Sequence, residues 1–160
     1  MKKIKNKTNS RSSIAKEKNT IITGYLIQAD RPNGNADFFP KDELIKSVKK
    51  FKKSKKSLDI IDGYNGPKCG EITDMDIDDK GIVYTASINK KLDKEMIETT
   101  SIGYSIECEI VECPVYGHTV MYDSEAKCKC PAPYVVLRDV KHVGGIMMPK
   151  ENSEFIEETK

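Results

Sequence analysis

The chain has 160 residues, 38% of them hydrophobic, enough for one ordinary core and too few for two. Its net charge is +2, but residues 1–18 set Lys2, Lys3, Lys5, Lys7, Arg11, Lys16 and Lys18 against Glu17 alone, a local +6 that leaves −4 for the rest. No run approaches the ~20 apolar residues of a membrane span, there is no nucleotide-binding glycine loop, and the five cysteines without an export signal read as thiols or metal ligands. The expectation is a soluble intracellular protein.

Residues 1–19 are expected to be a disordered basic leader, because Ile4 and Ile14 are its only aliphatic residues beyond Met1 and cannot offset the ordering entropy. Thr20 to Ala29 is β-branched and aromatic without helical capping, which predicts a buried strand. Arg31-Pro-Asn-Gly-Asn35 has turn chemistry throughout. The clearest helix follows, with Pro40 at its first turn, Asp42 and Glu43 at the positive end of the dipole, and Leu44, Ile45, Val48 and Phe51 as one apolar stripe. Its other face is nearly all lysine: eight lysines lie between Lys41 and Lys56 against Asp42 and Glu43. Such a run is usually a solvated face.

Leu58 to Ile61 reads as a short strand, Gly63 to Pro67 as a turn and Lys68 to Ile77 as a strand. Asp78-Asp-Lys-Gly81 predicts a hairpin into the strand Ile82 to Ile88. Lys90 to Glu98 is expected to be a short helix with Leu92, Met96 and Ile97 on one side. From Ser101, the residues Ile102, Tyr104, Ile106, Cys108 and Ile110 fall on every second position, the period of a strand, with Ser101, Gly103, Ser105, Glu107 and Glu109 opposite. Cys113 to Pro133 reads as a Cys/Pro/Gly/charged insertion, Tyr134 to Met148 returns to strand, and 149–160 is an acidic tail that Phe155 and Ile156 could anchor. The fold class expected is α+β, mainly β: a closed or nearly closed sheet flanked by short helices, with the domain spanning 20–148.

Four segments in order carry a resemblance. Gly24-Tyr-Leu-Ile-Gln-Ala with Asn33-Gly-Asn-Ala-Asp-Phe-Phe-Pro-Lys-Asp-Glu-Leu is similar to the opening of tailed-phage prohead (capsid-maturation) serine proteases. Ile60-Ile-Asp-Gly-Tyr-Asn-Gly-Pro-Lys-Cys-Gly-Glu-Ile resembles the stretch that carries their histidine. Thr100-Ser-Ile-Gly-Tyr resembles their nucleophile motif, and Cys113-Pro-Val-Tyr-Gly-His with Cys128 and Cys130 is similar to a Cys-rich insertion in one branch. The resemblance covers about Gly24 to Met148, and its weight lies in the ordered set rather than in any one motif. It implies a herpesvirus-protease-like β-barrel wrapped by helices. It also implies cleavage of phage scaffold and major capsid protein inside an assembling procapsid in the host cytoplasm, by a chain that could form homo-oligomers.

On that reading Ser101 attacks the scissile carbonyl, Gly103 serves the oxyanion or positions it, and Ser105 is the competing nucleophile. The sequence departs from the family at the base, where Tyr64 replaces histidine. A phenol with an unperturbed pKa near 10 is a neutral donor at pH 7 and a poor base. His142 is then the candidate base, matching the last member of the herpesvirus order His, Ser, His. No cofactor is expected for catalysis. Cys113, Cys128 and Cys130 with His118, or Cys108 as the alternative fourth ligand, could hold a structural zinc; reduced structural cysteines are the competing reading.

Two functions stand side by side: an active endopeptidase using His142, and an inactive relative that binds scaffold or capsid, zinc-stabilised or not. No membrane partner is expected. Nucleic acid is not expected either, since no aromatic platform accompanies the basic leader or the lysine face.

Overall fold

The structure, a computed structural model, describes residues 19–115 and 133–150. Its elements run β1 (Thr20–Gln28), β2 (Asp37–Phe38), α1 (Lys41–Ser54), β3 (Leu58–Asp62), β4 (Lys68–Ile77), β5 (Gly81–Ile88), α2 (Lys94–Thr99), β6 (Thr100–Glu112) and β7 (Val135–Pro149). This is a mainly-β α+β fold, a mixed seven-stranded sheet curled into a half-barrel with two short helices. The leader, residues 116–132 with His118, Cys128 and Cys130, and the tail from Glu151 lie outside the described residues.

The strand order is β1-β5-β4-β3-β7-β2, with β6 on the far side of β7. β1, β5, β4 and β3 pair antiparallel in turn. β7 runs parallel to β2 at Val135 and Val136 and to β3 at Gly145 to Met147, and antiparallel to β6 along nearly all its length. The hairpin between β4 and β5 has the expected chemistry. Asp78 Oδ1 accepts the N–H groups of Lys80 at 2.8 Å and Gly81 at 3.1 Å, and Gly81 takes a φ of 152° that favours glycine.

α1 packs against β7, β4 and β5, burying Leu44, Val48 and Phe51. The apolar stripe of the sequence thus becomes the lid of the core, which also takes in Ile60, Ile72, Met75, Ile82, Ile88 and Ile102. Tyr84 of β5 is buried and crosses the curl to β6: burial pushes its phenol up to about 12, opposed by a backbone hydrogen bond with Ile102. No helix among the described residues is long and apolar enough to cross a membrane.

The structure departs from the expected elements in three places. β2 forms just past the expected Arg31–Asn35 turn, in residues expected to form no strand, because the Asn33 side chain folds the backbone: its Oδ1 accepts from Asn35 N at 2.9 Å and Asp37 N at 3.1 Å. The second helix starts only at Lys94. Thr20 Oγ1 donates to Lys90 O at 2.9 Å and accepts from Leu92 N at 2.8 Å, which holds Lys90 to Leu92 against β1 and leaves Asp93 to cap the helix through Met96 N. The expected apolar side of that helix is also split: Leu92 is buried ahead of it, while Met96 and Ile97 are exposed. In β6 the alternation holds only as far as Cys108; beyond it Ile110 is exposed and Val111 is buried. The change of face occurs opposite Asp139, whose φ of 55° interrupts β7.

Candidate functional site

Ser101, the second residue of β6, lies opposite Met148 of β7, and the next row across the sheet is Ile102, Met147 and Asp62. Gly63 N–H donates to Met147 O at 2.9 Å, so the turn carrying Tyr64 begins at the same end of the sheet as Ser101. β7 alone separates β3 from β6, about 10 Å at two strand spacings. Tyr64 itself is 70% exposed. This end of the sheet opens on a cleft of about 700 Å³. Its walls include Asp62, Lys90, Met96, Thr100, Met147 and Met148.

The Ser101 hydroxyl does not reach that space. Its Oγ is shut off from solvent and has no hydrogen-bond partner among the described residues. Met148, its cross-strand neighbour, is itself buried, and its thioether lies across the same face: a Cβ added to Gly103 would meet Met148 Cε at 2.5 Å. Gly103 therefore has a packing reason to be glycine, making room for the methionine beside the serine. Ser105, two residues further along that face, pairs with Gly144.

The structure does not bring His142 to Ser101. His142 pairs with Ile106, five residues along β6, which puts the two roughly 17 Å apart at about 3.4 Å per residue. It points instead into the core under α1, where Nε2 lies 2.9 Å from Ser47 Oγ. The Ser47 hydroxyl donates to Leu44 O at 2.9 Å, so the hydrogen between serine and imidazole belongs to Nε2. Nδ1 then carries a buried lone pair with no donor among the described residues. Burial lowers the histidine pKa from 6.5 to about 4. In this geometry a direct Ser101–His142 dyad is excluded by distance, because a base must come within about 3 Å of the hydroxyl.

No family model, curated protein or solved structure matches this chain.

Of the cysteines expected to bind zinc, Cys113 is buried at the end of β6 and Cys108 is half-buried. The Cys108 Sγ lies 3.0 Å from both Ile110 O and Arg138 O, and burial pushes its pKa up. That is the surrounding of a protonated thiol donating to carbonyls, the opposite of what a thiolate ligand needs. Among the described residues no three His, Cys, Asp or Glu side chains converge as a metal site. The remaining expected ligands, His118, Cys128 and Cys130, lie outside them.

A polar cluster that sequence reasoning missed pins the first loop to β6. Asn33 Nδ2 donates to Tyr104 Oη at 2.7 Å, and Tyr104 Oη donates to the buried carboxylate of Asp37 at 3.1 Å. Tyr104 also meets Phe39 edge-on, with centroids 5.4 Å apart. The signal was present, since Tyr104 follows Gly103 in the serine motif and Asn33-Gly-Asn-Ala-Asp37 was already singled out. What the sequence lacked was the pairing of the two.

Proposed function

We propose that this chain is a procapsid-assembly protein of prohead-protease descent, which engages a peptide of the phage scaffold or major capsid protein at the Ser101 end of its sheet and does not hydrolyse it. One observation carries the reading: Ser101 and the Tyr64 turn sit at the end of the sheet that opens on the 700 Å³ cleft, and no imidazole lies there among the described residues. A cleft of that volume walled by methionines suits a peptide side chain. A serine without a base is a poor nucleophile. The curled sheet, with Tyr84 spanning from β5 to β6, is on this reading a variant of the herpesvirus-protease-like barrel.

A second reading, an active endopeptidase, has one observation in its favour. A buried hydroxyl without a hydrogen bond among the described residues calls for a reason, and a nucleophile awaiting its base is one. A fluorophosphonate probe on the purified chain separates the two. On the first reading the chain stays unlabelled, while co-expression with the scaffold and capsid proteins yields a complex that Met96→Glu, at an exposed wall of the cleft, abolishes. Labelling that disappears in Ser101→Ala establishes the second reading. A complex indifferent to the methionine change removes the first.

A further inference from the structure

Of the eight lysines between Lys41 and Lys56, the structure neutralises four: Lys41 with Asp79 at 3.2 Å, Lys46 with Glu43 at 3.7 Å, Lys50 with Asp139 at 3.0 Å and Lys52 with Asp76 at 3.5 Å. Lys49, Lys53, Lys55 and Lys56 are exposed and have no acidic partner among the described residues. They are also grouped. Lys49 and Lys53 stand one turn apart on α1, about 6 Å along its axis. Lys55 and Lys56 continue past its end, where they flank a cleft of about 230 Å³ walled by the hydroxyl residues Ser57 and Thr73. Asp74 shares that cleft and Asp76 already pairs with Lys52, so five lysines face two aspartates and the surface keeps a net +3.

The helix dipole gives a bland reason for Lys52 and Lys53 in the last turn. It gives none for Lys49 in the middle of the helix, nor for Lys56 beyond it. It also fails at Lys55, which occupies a left-handed position with φ 55° and ψ 24° where glycine ends a helix at less cost. Among the described residues the patch has no exposed apolar centre, since Phe51 at the floor of the cleft is buried. The exposed large hydrophobic residues Ile21, Tyr64, Met96, Ile97, Ile110 and Val143, with Val115, all lie on other elements or loops. A protein partner would ordinarily require such a centre, whereas a phosphate backbone is recognised by charge on a rigid frame.

We propose that the surface formed by Lys49, Lys53, Lys55 and Lys56 binds the phosphate backbone of duplex nucleic acid without reading its sequence. The missing aromatic platform bears on single strands, which stack their bases; it does not bear on a duplex, which keeps them inside.

The test is fluorescence anisotropy of a fluorescein-labelled duplex DNA with the full chain across 50 to 200 mM NaCl. The combined variant Lys49→Gln, Lys53→Gln, Lys55→Gly and Lys56→Gln should weaken binding and flatten the plot of log K against log salt by about 3.6, at ~0.9 per phosphate contact. Lys55→Gly alone should raise the thermal midpoint and still flatten the slope by about 0.9, which a loss of fold cannot imitate. Lys68→Gln on β4, a lysine already paired with Asp59 and Glu71, should leave the slope unchanged. An unchanged slope in the combined variant overturns the proposal, as does an equal loss with Lys68→Gln. Displacement of the DNA by polyglutamate at equal charge would reassign the surface to an acidic protein.

Discussion

Protonation of His142 would put a cation and a second N–H into a pocket that, among the described residues, offers Nδ1 nothing to bond. The unfolded chain has no such penalty and takes up the proton at the ordinary pKa of 6.5, whereas the folded chain resists it until about 4. Between those values the unfolded state binds more protons, so stability is full above about pH 6.5 and falls as the solution is acidified. From pH 7 to pH 5 the native chain should lose roughly 2 kcal/mol through this group alone. His142→Gln, which can still donate toward Ser47, should remove that increment; urea unfolding of both proteins at the two pH values measures it. An equal acid loss in both would mean that the pocket admits the charged ring. Sequence reading had His142 as the candidate base for Ser101, since nothing in the order of residues joins it to Ser47, 95 positions away.

Among the elements, α1 is tied to β7 by more than its apolar stripe. Glu43 is buried, accepts the Asp139 N–H at 3.1 Å and pairs with Arg138 at 3.6 Å and Lys46 at 3.7 Å. It thereby meets the backbone of β7 at the left-handed Asp139. Charge-assisted bonds from a buried carboxylate contribute roughly 1.5–3 kcal/mol, so Glu43→Ala should cost about 2 kcal/mol. Chemical denaturation reads this directly, and a loss below about 0.5 kcal/mol, ordinary for a surface site, would contradict it. The sequence made the helix plain through Leu44, Val48 and Phe51, and it made β6 plain through the alternation from Ile102 to Cys108. Glu43 it assigned to the helix dipole, because a first-turn acid looks the same whether it faces water or a neighbouring strand. The end of β6 was misread for the same kind of reason: the interruption at Asp139 lies on another strand, so Ile110 kept the expected parity in the sequence and lost it in the fold.

At the scale of the whole molecule, the half-barrel closes around Gly145. A Cβ there would meet Ile102 Cγ2 at 2.9 Å, Ile72 Cδ1 at 3.1 Å and Ile60 Cγ1 at 3.3 Å, side chains from β6, β4 and β3. Gly145→Ala should therefore overpack the centre and destabilise by roughly 1–3 kcal/mol, as a thermal midpoint would register. An unchanged or raised midpoint would show that the three isoleucines yield freely. The curled sheet and its helices were legible from strand periods and turn residues. What was not legible is how β7 is shared between β3 and β6, and that sharing decides which candidates meet. It carries the Tyr64 turn toward Ser101 and leaves His142 at the middle of the strand.

The position of β7 at the centre has a kinetic side as well. β3 and β6 have no contact through the sheet until this strand arrives, although both precede it in the chain. A ribosome that has made everything up to Glu112 has produced β3, β4 and β5 as a meander with β1 added beside β5 and a bare edge on β3, and β6 with no strand to pair with. Such long-range closure slows the search for the native state and leaves open strand edges available for aggregation in the interval. Yield in cells should accordingly depend more on how promptly the last strand docks than on the strength of the first hairpins.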